Sequence, residues 1–139
     1  MTNAVGRKIL THKEREVIIG CVLGDGNLEK RWANARLRID HSYKFKKYIF
    51  WKFKLLKRIA TKKPYLVKEV DKRYNVVYKR YHFSTIAHNE ITKFWQIFYK
   101  GNRKTIPPNL KEFISPLSLA IWIMDDGYKR NDCDALRIN

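Results

Sequence analysis

The stretch Val17-Ile18-Ile19-Gly20-Cys21-Val22-Leu23-Gly24-Asp25-Gly26 (VIIGCVLGDG) decides the fold: an apolar run broken by two glycines that leads straight into an acid. Residues 119–127 (LAIWIMDDG) repeat the design near the C-terminus. Local signals make both stretches helical. Thr11 and Glu14 form a T-x-x-E capping box ahead of the first, and Ser115 with Pro116 supplies an N-cap and a first-turn proline ahead of the second. Both helices are expected to stop at an acid followed by glycine. Glycine is a usual C-terminal stop, but the helix dipole disfavours a carboxylate there, so Asp25 and Asp126 need another reason to be present, and metal coordination is one.

The two stretches resemble the paired signature motifs of the LAGLIDADG homing endonucleases and the related intron maturases. The match aligns residues 18–26 with 119–127. Residues 103–127, RKTIPPNLKEFISPLSLAIWIMDDG, are similar to the single-chain, two-motif subfamily, in which a K-T-I-P run precedes the second motif. The resemblance implies an α+β fold with an α-β-β-α-β-β-α core followed by the second signature helix. It implies that the motif helices pack together through Ile19, Gly20, Leu23, Gly24, Ala120 and Ile123. It also makes Asp25 and Asp126 ligands of a divalent metal, for which Mg²⁺ suits oxygen donors, and puts Lys104 in the active site; the Gly24 carbonyl is a further candidate contact to the metal, and Asp125 either points elsewhere or contributes its backbone carbonyl. Gly20 and Gly24, four apart, share one helical face and let a partner helix approach closely.

The chain has 139 residues, with 45% hydrophobic and 14% aromatic side chains, a composition suited to one globular domain. Thirty Lys and Arg against 13 Asp and Glu give a net charge of +17. Such an excess repels itself and calls for a polyanion: nucleic acid first, an anionic membrane surface second, with a ribosome-like basic protein as the plain alternative. Cys21 and Cys133 form no Cys/His cluster, so neither a zinc site nor a disulfide framework is indicated. No secretory h-region and no apolar run of bilayer length are present, so an intracellular protein is expected, in an organelle or a prokaryotic cytoplasm.

Between the motifs the period shifts. In residues 34–41, NARLRIDH, Leu37 and Ile39 alternate with Arg36, Arg38 and Asp40, an apolar face backed by a polar one. Residues 65–84 read as a hairpin turning near Arg73 to Asn75. Its second arm sets Tyr81 and Phe83 against Tyr78, Arg80, His82 and Ser84; its first arm has charge on both faces, and its register is left open. Residues 26–32 are taken as a first strand from the resemblance. A strand ribbon fits the major groove of DNA, so the candidate DNA-binding residues are Lys30, Arg31, Arg36, Arg38, Asp40, Lys68, Lys72, Arg73, Tyr78, Arg80 and His82. Asp40 either accepts from cytosine or orients an arginine. A solvated polar face is the plain alternative for any one strand; recurrence weakens it.

Residues 42–60 form a helix with Phe45, Ile49, Phe53, Leu56 and Ala60 on one face. Packing behind the sheet accounts for it better than a membrane-surface helix, because the strands need an apolar cover; its lysines are then solvated. Residues 88–99 form a third helix, with Ile91, Phe94, Trp95 and Phe98 spaced for burial.

The chain thus divides into residues 1–102 as a first half with its DNA-binding sheet, residues 103–127 as connector and second motif helix, and residues 128–139 as the start of an incomplete second half. Residues 134–139, DALRIN, look like the opening of a further strand, leaving Leu136 and Ile138 without a sheet. The second half is then truncated or supplied by another chain, and self-association or a companion polypeptide is expected. Three function classes follow: part of a metal-dependent endonuclease acting on double-stranded DNA, an RNA-binding intron maturase, and a non-catalytic DNA-binding fragment.

Overall fold

The computed structural model describes residues 9–129; the readings on Cys133, Leu136, Ile138 and residues 134–139 lie outside them. Helix α1 (His12–Leu23) opens with the expected capping box, Thr11 accepting from the Glu14 amide and Glu14 accepting from the Thr11 amide. Strands β1 (Asn27–Lys30) and β2 (Ala35–Ser42) follow, then a 3-10 turn and α2 (Lys46–Leu56). Strands β3 (Tyr65–Asp71) and β4 (Val76–Ser84) lead to α3 (Asn89–Phe98). A two-residue pair, β5 (Tyr99–Lys100) and β6 (Arg103–Lys104), precedes α4 (Pro116–Lys129). The expected element order holds, the 3-10 turns and the β5–β6 pair being additions to it.

The sheet is antiparallel in the order β1-β2-β4-β3. Alternation splits it into two faces. Leu28, Leu37, Ile39 and Phe83 point into the core with Ile49, Leu56, Ile91 and Phe98 from the helices, each at most 5% exposed. Helix α2 lies against β2 and β4, α3 against β1 and β2, and α4 against α1. The β3–β4 hairpin turns where expected, with Asn75 at φ 52°, a left-handed conformation that asparagine tolerates. No helix among the described residues is long and apolar enough to cross a membrane.

Three details depart from the sequence reading. Helix α4 runs through Asp126 and Gly127 to Lys129, so that glycine is no stop signal; among the described residues only Gly101 is a glycine with positive φ, and the left-handed cap is used at neither motif. The face of α4 turned to α1 carries Ser118, Ile121 and Asp125, all buried, whereas Ala120 is exposed and Ile123 half-buried. Spacing of three and four residues selects that stripe, one position along from the expected one. Finally, the lysines of α2 are not all solvated: Lys52 is fully buried.

Candidate active site

The site begins with two glycines that let helices touch. A Cβ on Gly20 would lie 2.8 Å from the Ser118 carbonyl oxygen and 2.9 Å from Ile121 Cβ; one on Gly24 would lie 2.3 Å from Asp125 Oδ2. Only glycine fits at either point, and the contact between Gly24 and Asp125 brings the residues that follow each, Asp25 and Asp126, to the same end of the helix pair. Ser118 Oγ donates to the Glu16 carbonyl at 2.6 Å, pinning the opening turn of α4 to α1.

Helix α1 closes tightly: the Gly24 amide returns to the Gly20 carbonyl at 3.0 Å and the Gly26 amide to that of Cys21 at 2.6 Å. The Asp25 amide between them instead donates 2.8 Å across the interface to Asp125 Oδ2. Lys104, delivered by β6, donates from Nζ to the Gly24 carbonyl at 3.0 Å. Its ammonium thus sits at the C-terminus of α1, where a cation is favoured, next to Asp25. Gly24 O, expected as a metal contact, is therefore engaged by Lys104 as well. The burial of Cys21 pushes its thiol up to about 11, and the charges acting on it next are those of Lys52, Asp125, Lys104 and Asp25, all gathered at this end.

Behind Asp25 lies a cluster the sequence reading missed. Asp125 Oδ1 accepts from Tyr48 Oη at 2.5 Å and from Lys52 Nζ at 2.8 Å, with Asp125 and Lys52 both fully buried. Lys52 Nζ also donates to His41 Nε2 at 2.9 Å, which requires the tautomer protonated on Nδ1. Burial, and then the Lys52 ammonium, pull the His41 imidazole down to about 4 against the opposing pull of Asp125 and Asp40, so it is neutral. The only hint in the sequence was a lysine, Lys52, between the apolar positions Ile49 and Leu56.

Among the described residues no group of three or more His, Cys, Asp and Glu is assembled that could hold an ion alone. Asp125 has both oxygens engaged by protein donors; of the two motif acids, Asp25 is half-buried and Asp126 is 3% exposed. Two carboxylates with an open remainder fit a hard cation that keeps water and takes substrate phosphate oxygens, and do not fit a closed all-protein cage.

The polar face of the sheet flanks this end. Glu29 accepts from Arg36 Nε at 2.9 Å, Arg38 Nη1 at 3.1 Å and, on the adjoining loop, Arg31 Nε at 3.2 Å. Those arginines hold its carboxyl below the usual range despite the opposing effect of burial, the largest single influence on it. Arg38 Nε is buried with no acceptor among the described residues. Asp40 accepts from Arg80 Nε and His82 Nδ1, each at 3.0 Å, so it orients an arginine; Arg80 also bonds Glu69. His82 Nε2 is 3.0 Å from Ser84 Oγ. Tyr78, opposite Glu69, continues this face.

Two DNA-binding candidates fall elsewhere. Lys30 pairs with Ala35 in the core register, its ammonium 5.6 Å from the centre of the Trp95 ring. Lys68 pairs with Lys79, which places it on the helix side of the hairpin. Both follow from the period of two, which sends neighbours of Glu29 and Glu69 to the opposite face. Lys72 and Arg73 are exposed in the turn, with Arg73 bonded to Asp71.

Comparison with known proteins agrees with this architecture. A model of the LAGLIDADG DNA endonuclease family matches residues 15–139. The DNA endonuclease I-ChuI of Chlamydomonas applanata is 28% identical over 93% of this chain and 65% of its own length. The cytochrome b mRNA maturase bI2 of Saccharomyces cerevisiae is 33% identical over 81% of this chain and 29% of its own. The solved structure of the homing endonuclease I-WcaI bound to its DNA recognition sequence superimposes with a TM-score of 0.77 at 25% identity, covering 86% of this chain and 53% of that one. This chain therefore spans less than two-thirds of each of these relatives. With the two motif helices seated on each other through Gly20 and Gly24 and the family model covering both, the chain belongs to the LAGLIDADG DNA endonuclease family.

Proposed function

We propose that this chain forms the first DNA-reading half and the metal-binding helix pair of a site-specific endonuclease that hydrolyses phosphodiesters of double-stranded DNA. The observation that supports the proposal is the close approach of Gly24 to Asp125 in the glycine-seated helix pair, next to Asp25 and Asp126 in the chain, with Lys104 held on the Gly24 carbonyl. Relatives named as a DNA endonuclease and as a homing endonuclease bound to DNA support it.

In this reading Asp25 and Asp126 hold Mg²⁺, whose chemistry is to stabilise charge on the attacking water and on the leaving 3′ oxygen. Lys104 lies close enough to offset charge on the scissile phosphate. Arg36, Arg38, Arg80 and His82 face the groove, already oriented by Glu29 and Asp40, so ordering these side chains costs little when DNA arrives. A second sheet, from further chain or from a companion polypeptide, covers the other half of the site.

The test is Asp25→Asn on a duplex site selected by binding from a randomised pool. Metal-dependent cutting is expected to fall by roughly 10³-fold or more, as for loss of a principal electrostatic group, with DNA affinity retained. Lost affinity with cutting retained overturns the assignment. The identity with the yeast maturase favours one second reading, RNA binding in support of splicing. It predicts a preference for structured RNA over duplex DNA at a single fixed salt concentration.

A further inference from the structure

We infer that Asp125 is a positioning residue: its buried carboxylate, clamped by Lys52 and Tyr48 of α2, fixes the main chain of Asp25 across the helix interface. The inference rests on the reading of Asp25 as a metal ligand for its purpose, but on geometry alone for its existence.

The geometry engages both oxygens of Asp125 inside the protein. Oδ1 takes two donors, Tyr48 Oη at 2.5 Å and Lys52 Nζ at 2.8 Å, and Oδ2 takes the Asp25 amide at 2.8 Å. An ionised carboxylate accepts strongly in such charge-assisted bonds and cannot offer the same lone pairs to a cation. The Asp25 amide donates across the interface to this carboxylate, while the amides on either side of it donate back onto α1. Gly24 completes the fit: any Cβ there would strike Asp125 Oδ2, so the glycine keeps open the channel through which the carboxylate reaches Asp25.

Charge explains why a lysine stands behind the acid. Asp25, Asp125 and Asp126 bring three carboxylates to one end of a helix pair, where like charges repel. Lys52, fully buried against Asp125, offsets the central one from inside the protein. The outer two differ in exposure, Asp25 half-buried and Asp126 only 3% exposed. His41 accepts another Lys52 proton as a neutral imidazole, adding no charge of its own. The clamp also joins layers: Lys52 and Tyr48 belong to α2, which packs on β2 and β4, so the DNA-reading sheet is linked through α2 and Asp125 to the backbone of Asp25. Partners of this kind around a ligand typically change metal affinity or activity by about 10- to 100-fold when removed.

The experiment is amide hydrogen exchange by NMR on the full, metal-free chain, comparing wild type, Asp125→Ala and Asp125→Asn. Asp125→Ala is expected to speed exchange of the Asp25 amide by about 10-fold or more, the loss of one well-formed hydrogen bond, beyond whatever change the β2 and β4 amides share because the variant also strands Lys52. Asp125→Asn keeps the shape but only one acceptor oxygen; with that oxygen held by Lys52 and Tyr48, its NH2 meets the Asp25 N–H donor to donor, so it too is expected to speed exchange at Asp25, and it serves as the reading if Asp125→Ala does not fold. Protection at Asp25 unchanged in the variants overturns the inference. Protection lost equally across the sheet also overturns it, since that marks a general structural role. On a cleavable duplex, Asp125→Ala is expected to lower the single-turnover rate by about 100-fold without changing DNA affinity. A wild-type chain that never cuts overturns the nuclease reading and leaves the exchange result standing.

Discussion

Two regions of this molecule solve the same chemical problem in opposite surroundings. At the end of the helix pair, one acid and one base, Asp125 and Lys52, meet with neither exposed to water. On the sheet, Glu29 and Asp40 are shared among arginines that stay about one-third exposed, Arg36 and Arg80 among them. A sealed pair adds little net stability, because desolvation consumes most of the attraction, but losing one partner strands a charge. An open pair contributes about 0–1 kcal/mol and yields to salt. The sealed pair therefore suits a fixed geometry, and the open ones suit side chains that must exchange an internal partner for a phosphate or a base edge.

The contrast can be broken at its strongest point by Asp25→Asn, where the cleavage loss of roughly 10³-fold or more should come without loss of folding. Next, Lys52→Met should destabilise the fold by about 3–5 kcal/mol, the usual cost of stranding a buried charge, measured by urea unfolding. A loss below about 1 kcal/mol would mean that the pair behaves like a surface one. Third, pH separates the regions. His41 titrates near 4 when folded against about 6.5 when free, so the unfolded chain binds more protons in between. Stability present above pH 6.5 should drop by roughly 3 kcal/mol as pH falls toward 4, and His41→Gln should flatten that slope. The carboxyls of Glu14, Glu29 and Glu90, lowered from 4.5, contribute stability that is present above pH 4.5 and is lost as pH falls below it.

Smaller effects sharpen the comparison. Gly20→Ala must push back the Ser118 carbonyl and Ile121. It should cost about 1–3 kcal/mol for overpacking, part of which the better helix propensity of alanine returns. Glu29→Gln should change stability by less than about 1 kcal/mol, while DNA affinity rises and its salt dependence steepens as three arginines lose their internal acceptor. Unfolding curves together with binding titrations at two salt concentrations check both.

The sequence carried the frame of this molecule because its strongest signals are local. Capping at Thr11 and Ser115, the alternation through Leu37 and Ile39, and the turn near Asn75 each depend on neighbours in the chain, and each appears where expected. The motifs likewise pointed to Asp25, Asp126 and Lys104. The face of α4 was misjudged by one position because helix rotation is set by the partner, and Ile121, not Ala120, meets Gly20. Lys30 and Lys68 were placed by charge without a register, and a one-residue phase decides a strand's face. Lys52 was illegible because nothing local distinguishes a lysine that will meet an aspartate 73 positions later from one that will meet water.

That separation has a consequence for synthesis. Lys52 leaves the ribosome long before Asp125, and α1 long before α4. Until the second motif emerges, the nascent chain has a helix with an unfilled glycine groove and a lysine with no carboxylate to meet it. Contacts so distant in sequence form late, and chains with exposed apolar surface in the interval invite aggregation or chaperones. The second motif thus acts as a completion signal: the sheet-bearing half reaches its sealed state only when the helix carrying Asp125 has been made.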